Sequence, residues 1–196
     1  MTVRREEVRS FFDGLAGSWD AERCPDSAKI LDILRLAGVC PGAKVLDVAC
    51  GTGVLFPYYL ELGAESVTGV DLSPEMIRIA GEKVKDSRIK LICADAEEIG
   101  GSGFDCVVLF NALPHFPEPG RLISSLSDRL RPGGRLTIAH DRSRESINGH
   151  HEQTASAVSL GLPPAETVAA YCREYLDVDT VIDGDDRFVV SGTLIS

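Results

Sequence analysis

Large apolar side chains recur at spacings of three and four from Val8 through Phe11, Phe12 and Leu15 to Trp19, which predicts a helix with one apolar face over residues 3–20. A second helix is expected from Ser27, read as its N-cap, to Ala37, with Gly38 as the stop. Its apolar face is Ile30, Leu31, Ile33, Leu34 and Ala37. The period then shortens. Lys44 to Ala49 is a β-branched run closed by glycines, Val54 to Leu62 reads as a helix stopped by Gly63, and Ser66 to Val70 reads as a second strand. Ser73 caps a helix that has Pro74 in its first turn and runs to about Val84. Ile89 to Cys93 and Phe104 to Phe110 are the third and fourth strands, the latter an apolar run suited to burial on both faces. Pro119 to Leu130 is expected as helix and Arg135 to Ala139 as the fifth strand. Strands alternating with helices predict βαβ units and a parallel sheet.

The last third of the chain departs from this rhythm. Two helices are expected, Ser143 to about Leu160 and Pro164 to Leu176, followed by strands Val178 to Ile182 and Phe188 to Ile195. Only the polar turn Asp183 to Arg187 separates those strands, too few residues for a parallel crossover, so they should pair antiparallel. The fold class is therefore α/β, in one domain: residues 1–40 form a helical cover and residues 41–196 the core.

Composition narrows the partners. Of the 196 residues 44% are hydrophobic and 26% charged, an ordinary globular balance. The net charge of −10 repels phosphate backbones and anionic lipid heads, so neither nucleic acid nor membrane is expected as a partner, and a small molecule is the default. The six cysteines, Cys24, Cys40, Cys50, Cys93, Cys106 and Cys172, form no CxxC pair, and reduced thiols in a cytoplasmic protein are expected. The opening MTVRREE does not read as a secretory leader, and no run has the apolar length of a bilayer span.

The chemistry concentrates at the ends of the expected strands. VLDVACGTG, Val45 to Gly53, is a strand, a glycine turn and a helix start, where backbone approaches a ligand and free N–H groups point outward. The dinucleotide fingerprint would carry a third glycine where this chain has Phe56, which argues against a nicotinamide or flavin oxidoreductase. Asp71 ends the second strand, 24 positions after Asp47, where a carboxylate can accept from ribose hydroxyls. Asp95, in CADAEE, ends the third strand and could accept from an adenine amino group. FDCVVLFNALPHF and LRPGGRLTIAH carry the fourth and fifth strands to Asn111, His115 and His140. Each residue has a plainer reading. Asp47 could satisfy local backbone donors, Asp71 could cap the turn before Ser73, Asp95 could be a solvated acid, and Cys50 and Met76 could be core.

In this order the motifs resemble the class I S-adenosylmethionine-dependent methyltransferases, from about Ala43 to the C-terminus. The resemblance implies a Rossmann-like, mostly parallel seven-stranded sheet with an antiparallel final hairpin. It implies S-adenosylmethionine as cofactor, with Gly51 and Gly53 beside its methionine part and Asp47 meeting the amino end through backbone or water. Asp71 would hold the ribose, Asp95 and Ala96 would flank the adenine, Leu72 and Met76 would pack near the adenosine, and Asn111 would lie beside the sulfonium. The activity implied is methyl transfer to a small-molecule acceptor by in-line displacement. A base is needed only where that acceptor is protonated. A catalytically silent cofactor-binding subunit is the alternative. The Asn-Pro-Pro-aromatic segment of methyltransferases that act on nucleobase amines is absent after the fourth strand.

His115 follows the fourth strand and His140 ends the fifth, so both are candidate catalytic bases. His150 and His151 lie three and four positions after Ile147 on the next helix. Convergence of His115, His140 and His151 would make a zinc-type site; a wet helix surface and a capped strand end are the plainer readings. FFDGLAGSWD is similar to the opening of quinone-precursor methyltransferases, where it covers the cofactor, and Gly14 and Gly17 would loosen it as a lid.

Overall fold

The computed structural model of the chain describes residues 4–21 and 25–195, so Cys24 lies outside the described residues. Seven strands are present: β1 Lys44–Val48, β2 Ser66–Asp71, β3 Ile89–Cys93, β4 Phe104–Phe110, β5 Leu130–His140, β6 Leu176–Asp183 and β7 Phe188–Leu194. They form one sheet in the order β3-β2-β1-β4-β5-β7-β6. The first five pair in parallel, and β7 inserts antiparallel between β5 and β6. The expected α/β, Rossmann-like class and its antiparallel terminal hairpin are both observed. The order reverses beside β1, and the crevice at such a switch point is where open α/β sheets bind ligands.

Alternation along the strands feeds two apolar layers. On one face Val45, Val67, Val108 and Val189 meet Ile30, Ile33 and Leu34 of α2 (Ser27–Leu36) and Phe56 and Tyr59 of α3 (Phe56–Glu61). On the other, Leu46, Val48, Leu109, Ile138 and Phe188 meet Leu122, Ile123 and Leu126 of α5 (Pro119–Ser127), Ile147 of α6 (Arg144–Thr154) and Val168 of α7 (Ala165–Cys172). Each such fully buried side chain contributes roughly 1.5–3 kcal/mol relative to exposure. The remaining helices are α1 (Arg5–Leu15), continued by a 3-10 turn over Ala16–Ser18, and α4 (Pro74–Lys83). Among the described residues no helix is long and apolar enough to cross a membrane.

Several boundaries move for local reasons. The N-cap of α2 is Asp26, not Ser27: its carboxylate accepts from the Lys29 N–H at 3.1 Å, and Ser27 pairs with the Tyr58 hydroxyl at 3.0 Å instead. Ser73 caps α4 as expected, accepting from Met76 N–H at 3.1 Å. Leu130 and Leu176, read as helix ends, begin β5 and β6. The α6 helix stops at Thr154 rather than near Leu160, because Leu160 N–H donates to the carbonyl of Pro114 at 2.9 Å and draws the chain off the helix axis.

Phe56 explains the glycine pattern. Its ring is fully buried, and a Cβ on Gly53 or Gly69 would stand 2.5 or 2.6 Å from it. Where the dinucleotide fingerprint uses a glycine to bring helix and strand together, this chain uses a phenyl ring and leaves Gly53 and Gly69 bare to seat it.

Candidate active site

The carboxyl ends of β1 to β4 border one cavity, roofed by α1 and Trp19. Its wall includes eight of the expected site residues: Gly51, Asp71, Leu72, Met76, Asp95, Ala96, Asn111 and His115. Asp47, Gly53 and His140 do not reach it.

Two wall residues have left-handed backbone without being glycine: Ala49 at φ 54° and Asn111 at φ 55°. Such strain is of order 1–3 kcal/mol per residue and collects where a ligand-binding edge must turn sharply. Asn111 is held by a reciprocal pair with Asp141. Its Nδ2 donates to Asp141 Oδ1 at 3.0 Å, and its Oδ1 accepts from Asp141 N–H at 3.2 Å.

Asp71 combines its two readings. Its Oδ2 accepts from Gly51 N–H and its Oδ1 from Ser73 N–H, both at 2.8 Å, so it braces the glycine turn while lining the cavity. Burial raises its pKa, those N–H bonds oppose the rise, and the nearby Asp13 charge adds to it. Asp95 Oδ1 accepts from Glu97 N–H at 2.9 Å, and its Oδ2 pairs with Arg5 Nη1 at 2.7 Å.

Asp47 lies beneath the turn, 1% exposed, and its Oδ2 has no hydrogen-bond partner among the described residues. Burial pushes its pKa well up, the phenol of Tyr59 opposes this, and Asp71 reinforces it. A buried carboxylate with an open acceptor, under a turn whose Gly51 (φ 55°) would bring a Cβ within 3.6 Å of Trp19 Nε1, suits the ammonium end of an amino-acid ligand held above it. With Asp71 and Asp95 farther along the wall, the residues fit S-adenosylmethionine.

His115 sits at the end of a 3-10 turn, Leu113–His115, after β4. Its Nδ1 is 2.8 Å from the carbonyl oxygen of Val158. Phe12 meets the ring edge-on with centroids 4.9 Å apart. Burial lowers its pKa below the ordinary histidine value, and the carbonyl partly offsets this, so it is a neutral base.

His140 is not among the residues that line the cavity. It has the strand parity of Leu136 and Ile138 and turns into their layer, edge-on to Phe188 at 5.8 Å. Burial, with smaller effects from His151 and His115, pushes its pKa down to about 3, and its Nε2 is unpartnered among the described residues. On α6 His150 is exposed, while the His151 ring lies 5.1 Å from that of His115. Among the described residues no three His, Cys, Asp or Glu side chains are arranged to hold a metal ion. Each of the three imidazoles has its own partner: the Val158 carbonyl for His115, the Phe188 ring for His140 and the Ser159 hydroxyl for His151.

The cover is fastened by polar contacts that the sequence pattern did not single out. Arg5 bridges Asp95, Glu97 and Glu98. Asp13 accepts from Ser73 Oγ at 2.5 Å and from Glu75 N–H at 3.4 Å. Asp20 accepts from Thr52 Oγ1 and Lys83 Nζ, both at 2.7 Å. The available signal was the i, i+4, i+7 spacing of Arg5, Arg9 and Phe12, all of which line the cavity.

Residues 45–134 match the family model described as a methyltransferase domain. The chain is 34% identical over 163 residues to the ubiquinone biosynthesis O-methyltransferase of Xanthomonas axonopodis pv. citri (strain 306), across 77% of this chain and 63% of that protein. It therefore spans under two thirds of the length of the curated relatives it matches. Its fold superposes on that of a chain from the complex of the Haloferax volcanii Trm112 methyltransferase activator, with TM-score 0.80, 19% identity, and 96% and 98% of the two chains covered. It also superposes on the N-methyltransferase NodS of Bradyrhizobium japonicum WM9, solved with S-adenosyl-L-homocysteine, with TM-score 0.71, 18% identity, and 91% and 92% covered. With the strand order, the glycine turn and the acids at successive strand ends, these matches support a class I S-adenosylmethionine-dependent methyltransferase.

Proposed function

We propose that the chain transfers a methyl group to a hydroxyl of a small, largely apolar acceptor, with His115 as general base. The observation that carries this is a single cavity in which the glycine turn, Asp71 and Asp95 stand along one wall and a neutral imidazole stands in another. S-adenosylmethionine, when bound, supplies an already activated methyl group. The protein's own residues then have three tasks. Gly51, Asp71, Asp95 and Ala96 hold the cofactor, with Leu72 and Met76 as apolar packing and Asn111 near the reacting end. Phe12, Trp19 and the rest of the N-terminal cover exclude water. His115 Nε2 removes the acceptor's proton as its oxygen attacks in line, because Nδ1 faces a carbonyl and carries the ring's hydrogen. Gly53 and Asp47 act one layer back, through turn geometry and charge. His140, away from the cavity, has no part in the proton transfer. The O-methyltransferase relatives support oxygen as the atom methylated. The excess of acidic residues supports a small acceptor rather than a nucleic acid.

The test is methyl transfer from labelled S-adenosylmethionine to a panel of phenols, catechols, thiols, amines and carboxylates, with the wild type and His115→Ala. Product from hydroxyl acceptors, lost in the variant while S-adenosylhomocysteine affinity is kept, is expected. Tight S-adenosylhomocysteine binding with no product from any acceptor would favour a silent binding subunit. Preference for amines or thiols would refute the hydroxyl assignment.

A further inference from the structure

The turn after α6 makes three contacts from three consecutive residues. The Val158 carbonyl accepts from His115 Nδ1 at 2.8 Å, Ser159 Oγ lies 2.7 Å from His151 Nδ1, and Leu160 N–H donates to the Pro114 carbonyl at 2.9 Å. The first and third grip both sides of the 3-10 turn that carries His115; the second grips α6. Val158 is 3% exposed, so the turn is anchored in the core.

The first of these contacts fixes a hydrogen as well as a position. A carbonyl only accepts, so His115 carries its hydrogen on Nδ1 and leaves Nε2 bare. Ser159 Oγ also accepts from Gly161 N–H at 3.2 Å, so the hydroxyl is held from two sides while it bonds His151 Nδ1. The two rings lie 5.1 Å apart at 41°, with Phe12 edge-on at 4.9 Å on His115. His115 is thus confined by a carbonyl and two ring contacts, and one of those rings is itself oriented by a serine.

We propose that Ser159 and His151 are positioning residues for the base. Ser159 locks the His151 ring, and His151, with the Val158 carbonyl, holds His115 so that Nε2 addresses the acceptor hydroxyl. This rests on the reading of His115 as base, and neither residue touches the acceptor.

The test uses the full chain labelled with 15N-histidine. Long-range proton–nitrogen spectra of the wild type should show one neutral tautomer at each ring, that of His115 with its hydrogen on Nδ1, assigned with His115→Ala and His151→Phe. In Ser159→Ala the His151 signals should become a tautomer mixture and those of His115 should broaden, while calorimetric affinity for S-adenosylhomocysteine stays unchanged. With the hydroxyl acceptors of the panel, Ser159→Ala should lower kcat about tenfold with little change in KM, and Ser159→Thr should restore it. A tautomer mixture at His151 of the wild type, or a Ser159→Ala protein with unaltered His115 signals and kcat, would overturn the proposal. Full turnover by His115→Ala would instead remove the base reading, and the wild-type spectra would still decide whether the turn orders the two rings.

Discussion

The packing of Phe56 against two bare glycines gives a quantitative expectation. In Gly69→Ala the new methyl would lie 2.6 Å from Phe56 Cζ, 3.0 Å from Cε1 and 3.1 Å from Cys50 Sγ, all well inside van der Waals contact. Gly69 has no left-handed backbone to protect, so the clash alone sets the effect. The ring is fully buried in the layer between α3 and the sheet. Overpacking of this kind costs about 1–3 kcal/mol. For a chain of this size that corresponds to a fall in Tm of roughly 3–9 °C. Phe56→Leu alone leaves a cavity and should also destabilise, by about 1–3 kcal/mol. In the double variant the added methyl occupies part of the space the ring leaves. The two changes should therefore fall short of additivity, with a favourable coupling of about 1 kcal/mol or more. Thermal and urea denaturation of the four proteins completes the cycle. Because Phe56 seats the glycine turn, Gly69→Ala should also weaken S-adenosylhomocysteine binding, and the double variant should recover part of it. Strict additivity, or a Gly69→Ala protein as stable as the wild type, would refute the account of why the third glycine of the dinucleotide pattern is a phenylalanine here.

Asp71→Ala should weaken S-adenosylhomocysteine binding by about 10- to 100-fold in calorimetry, through loss of charge-assisted bonds worth roughly 1.5–3 kcal/mol; unchanged affinity would remove it from the ribose site. Gly51→Val places a branched side chain at φ 55° facing Trp19 and should harm binding at least as much. His115→Ala should lower turnover on hydroxyl acceptors by about 10²-fold or more while leaving cofactor affinity intact. His140 is neutral in the fold down to about pH 3 but titrates near 6.5 when unfolded, so the unfolded state binds the extra proton. It therefore contributes stability that is complete above about pH 6.5 and fades as pH falls toward 3. The Tm difference between wild type and His140→Gln should move in the direction of lost wild-type advantage across that window, and a pH-independent difference would contradict it. Hydrogen exchange over residues 8–20 should slow when S-adenosylhomocysteine is added, and equal protection with and without it would make the cover a fixed element.

The α/β alternation, the antiparallel hairpin and the acids at successive strand ends were legible in the chain because each rests on short-range rules: side-chain period, the five-residue turn Asp183 to Arg187, and glycines where a strand meets a helix. The family followed from the order of those motifs. Which histidine faces the cavity was not legible. His115 follows one strand and His140 ends the next, and only the parity of β5 and the turn of backbone after β4 send one to the cavity and the other against Phe188. The role of Gly53 was hidden for the same reason: its neighbour is a ring three residues away whose packing partner, Gly69, lies on another strand. The fastening of the cover required the fold as well, since Arg5 and Asp95 are 90 positions apart and meet only when the sheet is assembled. Local pattern determines which elements form and where the backbone can turn. Side-chain direction, burial and charge pairing between distant segments are set by tertiary packing, and these decide which of several equivalent-looking residues reaches the site.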